Sequence, residues 1–396
     1  MKNFDYHVPT RIIFGKDTEG QVGERIREYG FHKVLLHYGG KSAVRSGLLD
    51  RVKGSLNEAG ILFVELGGVQ ANPVLSLVRK GIALCLEEKV DLILAVGGGS
   101  VIDSAKAIGD GAGNPGTDVW KFFAREADPT GHIPVAVILT LAASGSEMSQ
   151  SAVLTNEDGG FKRGFNSWTH QPLFSICNPE LTYSVSPFQT GCGTVDIMMH
   201  TLERYFGWTK DSAVTDRLAE GLLKAVIEAG RVVHEHPQDY EGRAALMWAG
   251  SLSHNGLTGT GREFLMQVHQ LEHELSGMYP EIAHGAGLSA LWASWARYVC
   301  GSWPERFAQY ACRVWDIPVE GKEPMKAALE GILATEEYFR SLDMPVSLKE
   351  LHVDPARFEE MAEKCTNFGA RTLPGIMELG KKEMMEIYGM AYELSR

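Results

Sequence analysis

Among the thirteen histidines of this chain, His200 follows Asp196 by four positions and His273 follows His269 by the same interval. On a helix that spacing sets both side chains on one face. His284 comes eleven positions after His273 and directly precedes Gly285. Five donors on two helices and a loop form a candidate metal centre. Imidazoles with one carboxylate suit Fe²⁺ or Zn²⁺ and disfavour Mg²⁺ or Ca²⁺, which take mostly oxygen. Four protein groups on one such ion leave a coordination position for a substrate oxygen, which a catalytic site requires. The order His269-Gln270-Leu271-Glu272-His273 is not that of a zinc protease helix, so peptide hydrolysis of that kind is excluded. His234, His236 and His254 read as structural or helix-end histidines.

A second constellation precedes the first. Leu94-Ala95-Val96 runs into Gly97-Gly98-Gly99-Ser100 and then into a helical stretch carrying Asp103 and Lys106. Glycines between a buried strand and a helix let a ligand approach the backbone, and the helix amino end favours an anion such as a pyrophosphate. A tight turn, with Ser100 as cap and Asp103 closing a capping box, is the plainer account. Three successive glycines exceed what such a turn needs. Three more loops are expected around the same ligand: Gly39-Gly40-Lys41-Ser42, Asn72-Pro73, and Thr140-Leu141-Ala142-Ala143-Ser144. The first carries no acid to accept from a ribose 2′-hydroxyl, and its amides, cation and hydroxyl favour NADP(H) over NAD(H).

These residues need rigid elements behind them. In the first half, short apolar runs at 34–36, 62–64, 92–96 and 135–139 alternate with helical stretches at 20–29, 42–59, 73–88 and 100–109, the pattern of a parallel sheet covered by helices. Residues 151–177 read as a hairpin insertion. Beyond Asn178-Pro179 the periodicity becomes helical, and Ser186-Pro187-Phe188-Gln189 carries an N-cap, a first-turn proline and a capping-box glutamine. Two domains are expected, an α/β dinucleotide-binding domain over 1–183 and an all-helical metal-binding domain over 184–396.

A net charge of −12 repels nucleic acid and anionic lipid. The longest strongly apolar stretch, 133–143, is too short to span a bilayer, so a cytoplasmic location is expected. Six cysteines without a CxxC pair argue against a disulfide scaffold or zinc ribbon, and Cys192 reads as a buried thiol.

With these residues in place, the chain resembles the iron-containing (group III) alcohol dehydrogenases, particularly their NAD(P)H-dependent butanol dehydrogenase branch. The likeness runs from Arg11-Ile12-Ile13-Phe14-Gly15 to the last helices. It is carried by Gly97-Gly98-Gly99-Ser100 with Asp103 and Lys106, by Ser144-Gly145-Ser146-Glu147, by Asp196-x₃-His200, and by His269-x₃-His273 followed by His284-Gly285. The resemblance implies that Asp196, His200, His269 and His284 bind the metal, while His273 lies by the nicotinamide as a proton carrier. It implies an α/β domain with a parallel sheet between helices, then an all-α domain, the dehydroquinate synthase-like architecture, with metal and substrate in a cleft. Hydride transfer between NADP(H), or NAD(H), and small to medium primary alcohols and aldehydes is the implied activity, in an expected homodimer. A related NAD-using lyase or polyol-phosphate dehydrogenase is the alternative, and it calls for more cations near the metal than Arg204 and Arg262.

Overall fold

The structure is a computed structural model that describes residues 1–40 and 45–394. It contains two compact units, one of His7–Val185 and one joining Met1–Tyr6 to the chain from Ser186 onward. Residues 1–6, placed with the α/β domain on sequence, thus group with the helical unit, where the Lys2 N–H donates to Gly261 O at 2.9 Å.

The first unit is a six-stranded parallel sheet in the order β1-β8-β5-β4-β2-β3. Its strands are β1 (Arg11–Phe14), β2 (Lys33–Tyr38), β3 (Leu62–Leu66), β4 (Leu92–Gly97), β5 (Val135–Leu139) and β8 (Phe174–Cys177). Val34, Leu36, Leu92, Leu94, Val96 and Ile138 bury one face against helices α1 (Val22–Glu28) and α2 (Leu48–Glu58). The opposite face carries α3 (Leu75–Glu88) and α4 (Gly99–Gly113), which bury Val78, Ile102, Ala105 and Ile108. Burial on both sides is why the central strands β4 and β5 read as continuous apolar runs, while the edge strands β1 and β3 stay partly exposed.

Residues 151–177 do more than form a hairpin. β6 (Ser151–Asn156) pairs antiparallel with β7 (Phe161–Asn166), but Phe174–Cys177 returns to the main sheet between β1 and β5. Four buried residues give too short a run for sequence periodicity to register.

A short helix α5 (Trp120–Phe123) belongs to the first unit, and the second unit is helical, with α7 (Ala213–Glu235) and α8 (Tyr240–His254) among its elements. Ser186 caps α6 (Pro187–Tyr205) by accepting the Gln189 N–H at 3.2 Å. α6 packs against α10 (His284–Val299), which also packs against α9 (Gln267–Met278). The far end of α6 is held by cations, as a helix carboxyl end favours. Arg262 donates to Arg204 O at 3.2 Å and Tyr205 O at 3.0 Å, Arg306 donates to Tyr205 O at 2.6 Å, and both guanidinium groups pair with the buried Asp216. The helix bearing Asp196 and His200 is therefore fixed at both ends.

Candidate active site

Asp196 and His200 lie one turn apart on α6, His269 in the first turn of α9, and His284 opens α10. Their polar atoms converge. From Asp196 Oδ1, His200 Nδ1 and His269 Nε2 are each 3.5 Å away and His284 Nε2 is 3.7 Å away. Two ligands about 2.1 Å from one tetrahedral ion lie about 3.4 Å apart, so this spacing fits a shared divalent metal better than hydrogen bonds. Asp196 Oδ1, His200 Nδ1 and His269 Nε2 are buried without a hydrogen-bond partner, a costly arrangement that one cation would relieve for all three. Side-chain exposure is 4% for His200, 6% for Asp196 and His269, and 25% for His284, so the set opens on the His284 side.

Electrostatics prepares the imidazoles differently. Burial, reinforced by His254 and His269, holds His200 well below the usual histidine range, in the neutral form that ligates a metal. Burial acts the same way on His269, but the Glu203 carboxylate and then Asp196 outweigh it and raise the group to about 9. The ring of His254 stands edge-on to His200 at 4.0 Å, a closeness that its helix-end position did not signal. Neither Glu203 nor Glu272 is assigned a role at the metal centre by sequence alone. Glu203 Oε2 meets His269 Nδ1, and Glu272 Oε2 meets His284 Nδ1. Their signal was the helical interval, since Glu203 stands three positions after His200 and Glu272 three after His269. His273 is buried at 8% exposure, its ring centroid 5.7 Å from that of His284 and 6.5 Å from that of His269.

The nucleotide candidates collect in the α/β unit. Gly39 and Gly40 follow β2, Asn72 lies beyond β3, Gly97–Gly99 link β4 to α4, and Thr140, Leu141 and Ser144 follow β5. All lie beyond the carboxyl ends of parallel strands, and the strand order reverses between β2 and β4. Such a switch point is where open α/β sheets bind ligands. Asn72 is buried with a left-handed backbone, φ 57°. Ser42 and Lys41 lie outside the described residues.

The glycines also have a packing reason that was not foreseen. A Cβ at Gly97 meets Val101 Cγ2 at 2.4 Å, one at Gly98 meets Leu141 Cβ at 3.0 Å, and one at Gly99 meets Ser144 Oγ at 2.2 Å. The loop after β5 rests directly on the glycine turn. Ser100 does not cap α4, whose N-cap is Gly98, and Asp103 closes no capping box. Asp103 instead accepts from Ser146 Oγ at 2.5 Å and from the Val153 N–H at 3.0 Å. Lys106 is fully buried and donates to Ser146 O, Ser149 O and Ser151 O at 2.8, 3.0 and 2.8 Å. Burial, partly offset by Asp103, lowers its amine to about 8.

Comparison with known proteins places the whole chain among its relatives. Residues 9–179 match the family model for iron-containing alcohol dehydrogenase, and residues 190–392 match that for the Fe-containing alcohol dehydrogenase family, C-terminal. The chain is 40% identical to NADH-dependent butanol dehydrogenase A of Clostridium acetobutylicum, over 99% of this chain and 100% of that protein. It is 34% identical to the NADPH-dependent aldehyde reductase YqhD of Escherichia coli, over 94% of this chain and 95% of that protein. The crystal structure of NADH-dependent butanol dehydrogenase A from Thermotoga maritima superposes with a TM-score of 0.95 at 35% identity, covering 99% of each chain. The chain belongs to the iron-containing alcohol dehydrogenase family, in its butanol dehydrogenase branch.

Proposed function

We propose that this chain interconverts small to medium primary alcohols and aldehydes, of the butanol and butanal type, using NAD(P)H and one Fe²⁺ or Zn²⁺ held by Asp196, His200, His269 and His284. The observation that carries the reading is the approach of three imidazole nitrogens to one carboxylate oxygen, at 3.5, 3.5 and 3.7 Å. A divalent ion at that point supplies Lewis acidity toward a carbonyl oxygen, and the reduced nicotinamide supplies hydride.

The chain's own groups do the rest. Asp196, at the centre of α6, would offset part of the ion's charge and fix its position. An N–H of His273 delivers the proton that the product oxygen takes up, a task suited to imidazole at neutral pH. Gly97, Gly98, Gly99 and Ser100 hold the pyrophosphate at the start of α4, with Gly39, Gly40, Ser42, Asn72, Asp103, Thr140, Leu141 and Ser144 around the rest of the nucleotide. The acid-free loop after β2 favours NADP(H); among the relatives, the Escherichia coli protein is named NADPH-dependent and the clostridial protein NADH-dependent.

A phosphate-bearing substrate is disfavoured by where the arginines point. Arg204 is buried and donates to His200 O at 2.7 Å and Ser253 O at 3.0 Å, and Arg262 is spent on carbonyls and Asp216. Both guanidinium groups are held by protein oxygens.

A cytoplasmic homodimer, binding neither nucleic acid nor membrane, completes the proposal. The net charge of −12 opposes nucleic acid and anionic lipid as partners, and among the described residues no helix is long and apolar enough to cross a membrane. Sedimentation and cell fractionation test this part. For the activity, metal-loaded protein is assayed on a panel of aldehydes with NADH and NADPH in parallel. Aldehyde-dependent oxidation of either nucleotide is the expected result, and none with any aldehyde refutes the reading.

A further inference from the structure

Two of the three candidate imidazole ligands are backed by a buried carboxylate, and the third is not. An ionised carboxylate only accepts, so the ring nitrogen facing it carries the proton. His269 Nδ1–H thus donates to Glu203 and His284 Nδ1–H to Glu272, with Glu203 2% and Glu272 0% exposed. The Nε2 of each ring then faces Asp196, and an ion bound there takes the place of any proton on it. His200 has the edge of His254 beside it instead.

Each carboxylate is itself held in place. Glu203 also accepts the N–H groups of Val268 at 2.6 Å and His269 at 3.2 Å, so a side chain from α6 caps the first turn of α9, whose own N-cap Met266 provides no side-chain bond. Glu272 occupies space that Gly287 leaves, since a Cβ there lies 2.8 Å from Glu272 Cγ.

We infer that Glu203 and Glu272 are positioning residues of the metal centre, fixing His269 and His284 as Nε2 donors and strengthening both by the negative charge behind each ring. Partners of this kind orient metal-bound histidines and raise their basicity. Asp196 at the centre and one carboxylate behind each of two rings add negative charge that favours a divalent cation. The inference rests on Asp196, His200, His269 and His284 being the ligands.

Glu203→Gln and Glu272→Gln test it, with His269→Ala as the reference for loss of a ligand. Each full-length protein is stripped of metal and loaded with Co²⁺ or Zn²⁺. The readouts are the metal dissociation constant by chelator competition, the visible absorption of the Co²⁺ form, and the unfolding temperature of the metal-free protein. Affinity falls about 10–100-fold in each glutamine variant, and the Co²⁺ bands shift. Glu272→Gln, which removes no helix cap, keeps its metal-free unfolding temperature and decides the matter if Glu203→Gln does not fold. Wild-type affinity and spectrum in Glu272→Gln, alongside metal loss in His269→Ala, overturn the inference and leave the ligand set standing. Undiminished metal binding by His269→Ala overturns the ligand set itself, and the inference with it.

Discussion

Gly285 lies so close to Cys192 that a Cβ on the glycine meets the Cys192 carbonyl oxygen at 2.2 Å and its Cα at 2.6 Å. Cys192 is one turn before Asp196 on α6, and Gly285 follows His284 at the start of α10. The missing side chain lets the two backbones touch, which brings His284 within 3.7 Å of Asp196. Gly285→Ala must therefore push α10 away from α6. The expected result is weaker metal retention under chelation, with about 1–3 kcal/mol lost from folding stability by overpacking. Metal retention equal to wild type contradicts the role given to this contact.

His273→Ala separates proton delivery from metal binding. Loss of a general acid lowers turnover by about 10²–10⁴-fold. Metal content, held by other side chains, stays at the wild-type level. Elemental analysis beside steady-state rates is the check, and parallel loss of metal and activity refutes the assignment.

Two glycines of the nucleotide loops should respond oppositely to alanine. Gly99→Ala drives a methyl into Ser144, 2.2 Å away, and disturbs the protein even without ligand. Gly40→Ala meets nothing within 4 Å, so stability stays within about 0.5 kcal/mol while nucleotide binding weakens if the backbone there approaches the cofactor. Unfolding curves and nucleotide titration of both variants supply the comparison. Unaltered nucleotide affinity in Gly40→Ala removes that residue from the site.

What could be read from the sequence depended on how far apart cooperating residues lie. Runs such as Leu92–Gly97 and Val135–Leu139 announce buried strands because each is apolar along its whole length. Asp196 and His200 announce themselves because one helical turn joins them. Phe174–Cys177 gives no comparable signal, for its strand character comes from neighbours β1 and β5, which are remote in sequence. Glu203 and Glu272 stood at the right intervals, but most helical glutamates face solvent, and only the folded arrangement puts histidine rings against them. The family likeness supplied the proposed ligand set, while the packing reason for Gly97 to Gly99 appears only once the loop after β5 is seen resting on them.

A buried histidine away from the site makes stability depend on pH. His37 Nδ1 lies 2.8 Å from Leu66 O and Nε2 2.9 Å from Ser104 Oγ, and burial lowers the group from 6.5 to about 4. Between those values the unfolded chain binds a proton that the folded chain does not, so stability falls as pH drops from 6.5 toward 4. The full effect is about 3 kcal/mol. Urea unfolding of wild type and His37→Gln across this range tests it. Wild type should lose more stability on acidification, and parallel curves speak against the assignment.

The most direct measurement is anomalous diffraction from metal-loaded crystals at the absorption edge of the bound ion. One peak per chain is predicted, with Asp196, His200, His269 and His284 at bonding distances of about 2.0–2.2 Å. A peak bonded to other residues, or none in protein that still reduces aldehydes, contradicts the account.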